Sequence, residues 1–386
     1  MAAMKNIRSI FILLFLSFLL ASCFALQPVQ YPERTPEARC LPSFPDRDGW
    51  YGGDGAYSIG LDEWRTLWIF GDTFVSDEEG RKDRIGMDVV MGTTLAVSTC
   101  AANAGFNIRY YLQKKKGQFV SSFGENEWLW PQDPFIAKGV LYLPLLVIQA
   151  LPDTPPPFNF TIAGHKIARI KDFQADDPRL WPVDYLDWTG ALAKGVQALA
   201  TTSVVHQDHV YFYPLYRYRQ GNINISGNIL ARIAIDHIDN PVNHFEYWTA
   251  DGWQKELQPE KVKIIFAAGA SELSVRYHAQ DKEWMAVYLS PENRGNQLLY
   301  STAQSPVGPW SPPAALNETI AEIDPQSPLY DQNTFCYAGK EHRQFASGKN
   351  LVITYVCNSL EDAARKESFI RKNLFLYRPT VKVIRR

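Results

Sequence analysis

Asp54 and Asp72 are the residues from which chemistry is most readily built. Asp54 lies between Gly53 and Gly55 in GGDGAYSI, and Asp72 follows Gly71 in TLWIFGDTF. The segment joining them reads as two apolar strands around one turn. A hairpin centred on Glu63 opposes residues whose numbers sum to 126: Ala56 with Phe70, Ser58 with Trp68, and Asp54 with Asp72. Directly opposed side chains share a face, with Cβ atoms roughly 4.5–5.5 Å apart. The two acids are therefore expected as neighbours at the open end of the hairpin, and a one-residue bulge would disturb that pairing. Two close carboxylates repel, so one tends to hold its proton near neutral pH. Glycoside hydrolysis needs that division of labour: one acid protonates the leaving oxygen, and the other, ionised, activates water or attacks carbon. Gly52, Gly53, Gly55 and Gly71 leave room for a substrate to approach.

The elements that position these acids recur along the chain. A short apolar segment, a turn and an aromatic-rich strand appear as GAYSIGLDEWRTLWIFGDTF, PQDPFIAKGVLYLPLLVI, TTSVVHQDHVYFYPLY, SELSVRYHAQDKEWMAVYL and YAGKEHRQFASGKNLVITYV. Aligned on Trp68, Tyr142, Tyr211, Met285 and Val352, the copies are about 70 residues apart. A further strand follows each: TTLAVST, HKIARIK, NILARIA, QLLYSTA and NLFLYRP. Short strands between Gly, Pro, Asn and Asp clusters indicate an all-β chain. One such copy cannot bury its own faces, whereas five arranged radially can. The fold expected is a five-bladed β-propeller over residues 47–386, with a two-sheet sandwich as the alternative. LPDTPPPFNF, residues 151–160, reads as a stiff loop between two strands of the second copy.

Other copies carry candidate polar groups near the same edge: Asp133 in WLWPQDPF, Glu272 in AGASELSV and His342 in GKEHRQF. Together with the aspartate pair they are expected to converge on one mouth, tuning the acids or binding sugar. Trp128, Trp130 and Tyr337 are candidate stacking surfaces. GxSxG, HExxH and P-loop motifs are absent, and the His and Cys residues lack metal-ligand spacing. No cofactor or metal is expected.

A net charge of −2, with no stripe of Lys or Arg, argues against a nucleic-acid partner, whereas eleven tryptophans suit a β-rich fold and a sugar-stacking surface. Residues 1–25 read as a signal peptide: Lys5 and Arg8 precede the apolar run Ser9 to Ala21, which is short for a membrane span. LASC matches a bacterial lipobox that would lipidate Cys23; the other reading is ordinary cleavage after Ala25. Either way the chain is exported, as a cell-envelope lipoprotein or a secreted protein, with membrane contact only through a lipid anchor. Residues 26–46, rich in proline, form a lead-in strap. Four further cysteines allow three pairings. Cys336 and Cys357 flank a hairpin turn and are expected to pair, leaving Cys40 with Cys100; four buried free thiols are the alternative.

GGDGAYSI with TLWIFGDTF, WLWPQDPF, GASELSV and STAQSPVGPWSPP resemble the five-bladed propellers of the domain-of-unknown-function 4185 family and the wider group of furanose-cleaving propeller glycosidases. Some members of that family are inverting endo-D-arabinanases whose catalytic aspartates lie in the GGDG-like and FGDT-like motifs. The resemblance therefore implies catalytic roles for Asp54 and Asp72 and a D-arabinan-like polysaccharide as substrate. HRQF after Glu341 departs from the His-Pro often found in such propellers. The rival is a non-catalytic carbohydrate-binding or surface-interaction propeller. A closed propeller is expected to be monomeric.

Overall fold

The computed structural model describes residues 40–101, 104–155, 158–346 and 348–385. The expected signal peptide, Cys23 and most of the expected lead-in strap lie outside the described residues. The described chain folds into five successive antiparallel units, blades I to V, each laid down strand by strand in chain order. Blade I runs through Trp50–Gly53 and Tyr57–Gly60, then Arg65–Phe70 and Thr73–Val75, then Asp88–Val90 and Thr94–Ala101, with Gly105–Tyr110 outside. The long second strands of blades II, IV and V are Val140–Ala150, Glu283–Leu289 and Asn350–Ser359. In blade III that place is taken by His209–Phe212 and Leu215–Gln220. All five alignment residues of the repeat fall on these second strands.

Burial on both faces explains why these strands are nearly continuous apolar runs. In blade I, Leu67 and Ile69 pack with Leu141, Leu143 and Ala168 of blade II, while the alternate residues Trp68 and Phe70 pack with Phe345 and Val352 of blade V. In blade IV, Trp284, Ala286 and Tyr288 join Tyr211 and Leu230 of blade III, while Met285 and Val287 join Leu351 and Ile353 of blade V. Phe135 and Ile167 of blade II meet Phe212 and Ile233 of blade III. Five apolar layers thus separate five blades, and the last blade packs on the first. The fold is an all-β, five-bladed propeller.

Hydrogen bonds between neighbouring blades close the same ring. They run from Thr93 to the Leu129 carbonyl, from Ser203 N–H to Asp133, from Val275 N–H to Thr202, from Glu341 N–H to Ser274, and between Ser58 and His342. Cys40 is bonded to Cys100, fastening the start of the described chain to blade I, and Cys336 is bonded to Cys357 directly across the first two strands of blade V.

One element differs from expectation. The third strand of blade V is Thr380–Arg385, not NLFLYRP. Pro379 cannot donate to a ladder, and Tyr377 has a left-handed backbone at φ 52. The carbonyls of Asn373, Leu374 and Leu376 turn inward instead and accept from the guanidinium of Arg84, which is fully buried and also donates to Tyr51 and Ile370 carbonyls. Gly52 is required beside this lock. Its φ is +125, and a Cβ there would lie 2.5 Å from the Tyr377 carbonyl oxygen.

Candidate active site

The hairpin register is the one that sums to 126: Tyr57 opposes Ile69, Ser58 opposes Trp68 and Ile59 opposes Leu67. Beyond the ladder, Gly53 opposes Thr73 in the same register. Asp54 N–H donates to the Asp72 carbonyl at 3.0 Å, but the return bond to the Asp54 carbonyl comes from Gly71 at 2.7 Å. The backbone is irregular where the acids sit, yet Asp54 and Asp72 remain opposite one another.

The two carboxylates have different surroundings. Asp72 is buried, and its Oδ1 accepts three hydrogen bonds, from Gly92 N–H at 2.6 Å and from the indole N–H groups of Trp128 and Trp130 at 2.9 Å each. Burial pushes its pKa up to about 6, against the pull of these three donors. Trp128 and Trp130 alternate along Trp128–Pro131, so both indoles reach the same face, where they pack edge-on against each other and against Phe160. Asp54 is half-buried and accepts from the Tyr337 hydroxyl at 2.5 Å. Its pKa is pushed up to about 7 by burial, then by the neighbouring Glu272 and Asp72, with the Tyr337 hydrogen bond and Lys340 acting the other way.

Glu272 comes to this place from blade IV. Its Oε1 lies 3.1 Å from where a Cβ on Gly55 would stand, and Gly55 itself has φ +63. Any larger residue there would press on the carboxylate. Lys340, buried, donates to Glu272 at 2.6 Å and lies 3.8 Å from the centre of the Tyr57 ring. Burial, followed by the surrounding acids, holds the phenols of Tyr57 and Tyr337 well above the usual range, so both stay protonated. Tyr337 and Lys340 reach one site because the ladder of blade V shifts between them, with Ala338 left-handed at φ 58. Strain of this kind is common where side chains are re-aimed at a site.

Asp133 and His342 are close to this group but face interior partners: after burial, Asp133 is among the acids that raise the Tyr57 phenol, and Lys340 helps to lower the His342 imidazole. Asp133 is 1% exposed, and both its carboxylate oxygens accept from Nη2 of Arg276 at 3.0 Å, with Thr202 Oγ1 and Ser203 N–H also donating to Oδ2. His342 is 2% exposed, with Ser58 on Nδ1 at 2.6 Å and Thr354 on Nε2 at 2.7 Å. Both act between blades or strands, in the interior. Buried polar groups are engaged wherever the fold brings partners to them, and most of these partners, Ser58, Thr202, Ser203 and Arg276, are far away in sequence. Nothing in the order of residues marks Tyr57, Gly92, Lys340 or Arg276 as part of these arrangements. Lys340 stands two residues before His342 in GKEH, and only the bulge brings it to the mouth. Among the described residues no group of three or more His, Cys, Asp or Glu is arranged to hold a metal ion.

The arrangement offers two carboxylates of raised pKa at one mouth, one with its charge directed by three donors and one bonded to a phenol. Aromatic rings flank both. A family model, the domain of unknown function DUF5005, matches residues 43–384. No curated protein matches the chain. The crystal structure of a candidate hydrolase from Bacteroides ovatus shares the fold at 17% identity and a TM-score of 0.62, over 86% of this chain and 85% of that one. A looser likeness, at 12% identity and a TM-score of 0.46, runs to a GH43_1 enzyme from Xanthomonas citri solved with xylose, over 90% of this chain and 91% of that one. The likeness to the 4185 family rests on short segments around GGDG and FGDT, whereas the DUF5005 match runs through all five blades. The chain belongs to the DUF5005 family.

Proposed function

We propose that the protein is an exported glycoside hydrolase that cleaves a furanose-containing, D-arabinan-like polysaccharide by single displacement with inversion. The observation that carries this reading is the unequal treatment of Asp54 and Asp72. Asp54, whose protonated form is favoured by burial and by the neighbouring Glu272, is the general acid. Asp72, whose Oδ1 is held by three N–H donors that favour its charged form, is the general base. Asp54 gives its proton to the glycosidic oxygen as the bond to the anomeric carbon breaks. Asp72 takes a proton from the water that attacks that carbon from the opposite face. The products are one sugar of inverted configuration and one free hydroxyl. Asp54 then regains a proton and Asp72 releases one to solvent. Glu272, held by Lys340, favours the protonated form of Asp54. Two disulfides support export to an oxidising compartment, and the Bacteroides ovatus neighbour, described as a candidate hydrolase, agrees at the level of fold.

The test is a hydrolysis screen of the mature protein on arabinans, fructans and xylans, beside Asp54→Asn and Asp72→Asn. Each substitution is expected to lower turnover by roughly 10²–10⁴-fold while glycan binding persists. Glycan binding without cleavage, unchanged in both variants, would overturn the assignment and leave a carbohydrate-binding propeller.

A further inference from the structure

Two rows of aromatic rings lead away from the acid pair. One starts at the indoles on Asp72 and continues from Trp130 to Phe160, with centroids 4.5 Å apart. The other starts at Tyr337, bonded to Asp54, continues to Phe335, stacked at 5.5 Å, and ends at Phe158, 6.0 Å further on. Phe158 belongs to the connection between the second and third strands of blade II, while Phe335 belongs to blade V. Their contact joins the two blades that flank blade I, which carries both acids.

Phe158 is 57% exposed, although a phenyl ring is favoured in a core. It meets Phe335 at an angle of 52°, so it does not lie flat over that ring. Phenyl rings offer no hydrogen bond, only an apolar face, and the C–H faces of a sugar ring match such a surface. We propose that Phe158 and Phe335 form a further sugar-binding subsite, which holds the glycosyl unit next to the one at Asp54. The substrate is then a chain with sugar on the Asp54 side of the scissile bond, rather than a short glycoside. The subsite rests on the hydrolase reading only for its place relative to the bond cleaved.

Phe158→Ala and Phe335→Leu test it on oligosaccharides of increasing length, cut from whichever of arabinan, fructan or xylan the protein cleaves. The ratio of kcat/KM for a tetrasaccharide to that for a disaccharide is expected to fall roughly tenfold in Phe158→Ala, with a smaller fall in Phe335→Leu. An unchanged ratio, including equal loss at both lengths, would overturn the subsite. Gel retardation by the same three polysaccharides reads binding without turnover. Retardation that Phe158→Ala weakens, with no cleavage by the unaltered protein, would sink the hydrolase reading and uphold the subsite. Retardation indifferent to Phe158, or neither retardation nor cleavage, would overturn the subsite.

Discussion

The mouth of the propeller and the polar interior are built from the same residue types, and they handle charge in opposite ways. In the interior two acids are each met by a basic side chain from another part of the chain. Asp133 is clasped by Arg276, and Glu341 meets His278 at 3.0 Å. Burial pushes the Glu341 carboxyl up, but His278 and the nearby Arg343 and Arg276 outweigh it and hold the group below its usual range. At the mouth no base clasps either aspartate: burial raises both, and on Asp54 the neighbouring Glu272, itself held by Lys340, adds to it. Matched charges tie blades together. Unmatched, buried acids keep a proton available at neutral pH, an arrangement that clusters at functional sites.

Deleting a charge should therefore have opposite effects in the two regions. The largest effect is expected from Arg276→Met, which leaves Asp133 buried and unpaired; a loss of about 3–5 kcal/mol should show in denaturant unfolding. If Arg276→Met were neutral, the interior would not depend on charge matching. At the mouth, Asp54→Asn should stabilise. The folded pKa of Asp54 lies above its ordinary value of 3.8, so the folded chain keeps a proton that the unfolded chain gives up, and stability falls as pH rises from about 4 to about 7. Removing the group should raise stability by roughly 1–3 kcal/mol at pH 8 and have little effect at pH 4. Thermal unfolding at the two pH values would check this, and an equal change at both would refute it.

The smallest effect refines the contrast between the two aspartates. The pair should give a narrow bell-shaped profile, with apparent values near 6 and 7 belonging to the pair as a whole. The Tyr337 hydrogen bond lowers the Asp54 pKa, so Tyr337→Phe should move the alkaline limb of the kcat/KM profile to higher pH, by roughly half a unit to one unit. A limb that stays in place, or moves down, would show that Asp54 is not the group titrating there.

Much of blade I is legible in the amino-acid order alone. The alternation in TLWIF and the turn around Glu63 set a local register, and the observed pairs obey it. The five-copy pattern places every second strand, and four of the five third strands, because strand runs and turn residues are local signals. The fifth third strand escapes the pattern because its apolar residues serve to present carbonyls to Arg84, a partner about 290 residues away in sequence. Glu272 is identified by its place in a copy. The same reasoning picks out Asp133, but its environment is different: Arg276 encloses it.

Local pattern in the chain is enough to specify the hairpin that opposes Asp54 and Asp72, the recurrence that requires five blades, and a strand pairing that brings Cys336 beside Cys357. These depend on turns and on period-two alternation, which act over a few residues. Three-dimensional packing alone settles which acids share a mouth, which are neutralised inside, and how Lys340 and Tyr337 come to face Asp54. Those outcomes depend on how blades distant in sequence pack around one axis and on a bulge of a single residue in blade V. Neither leaves a local signature in the order of the amino acids.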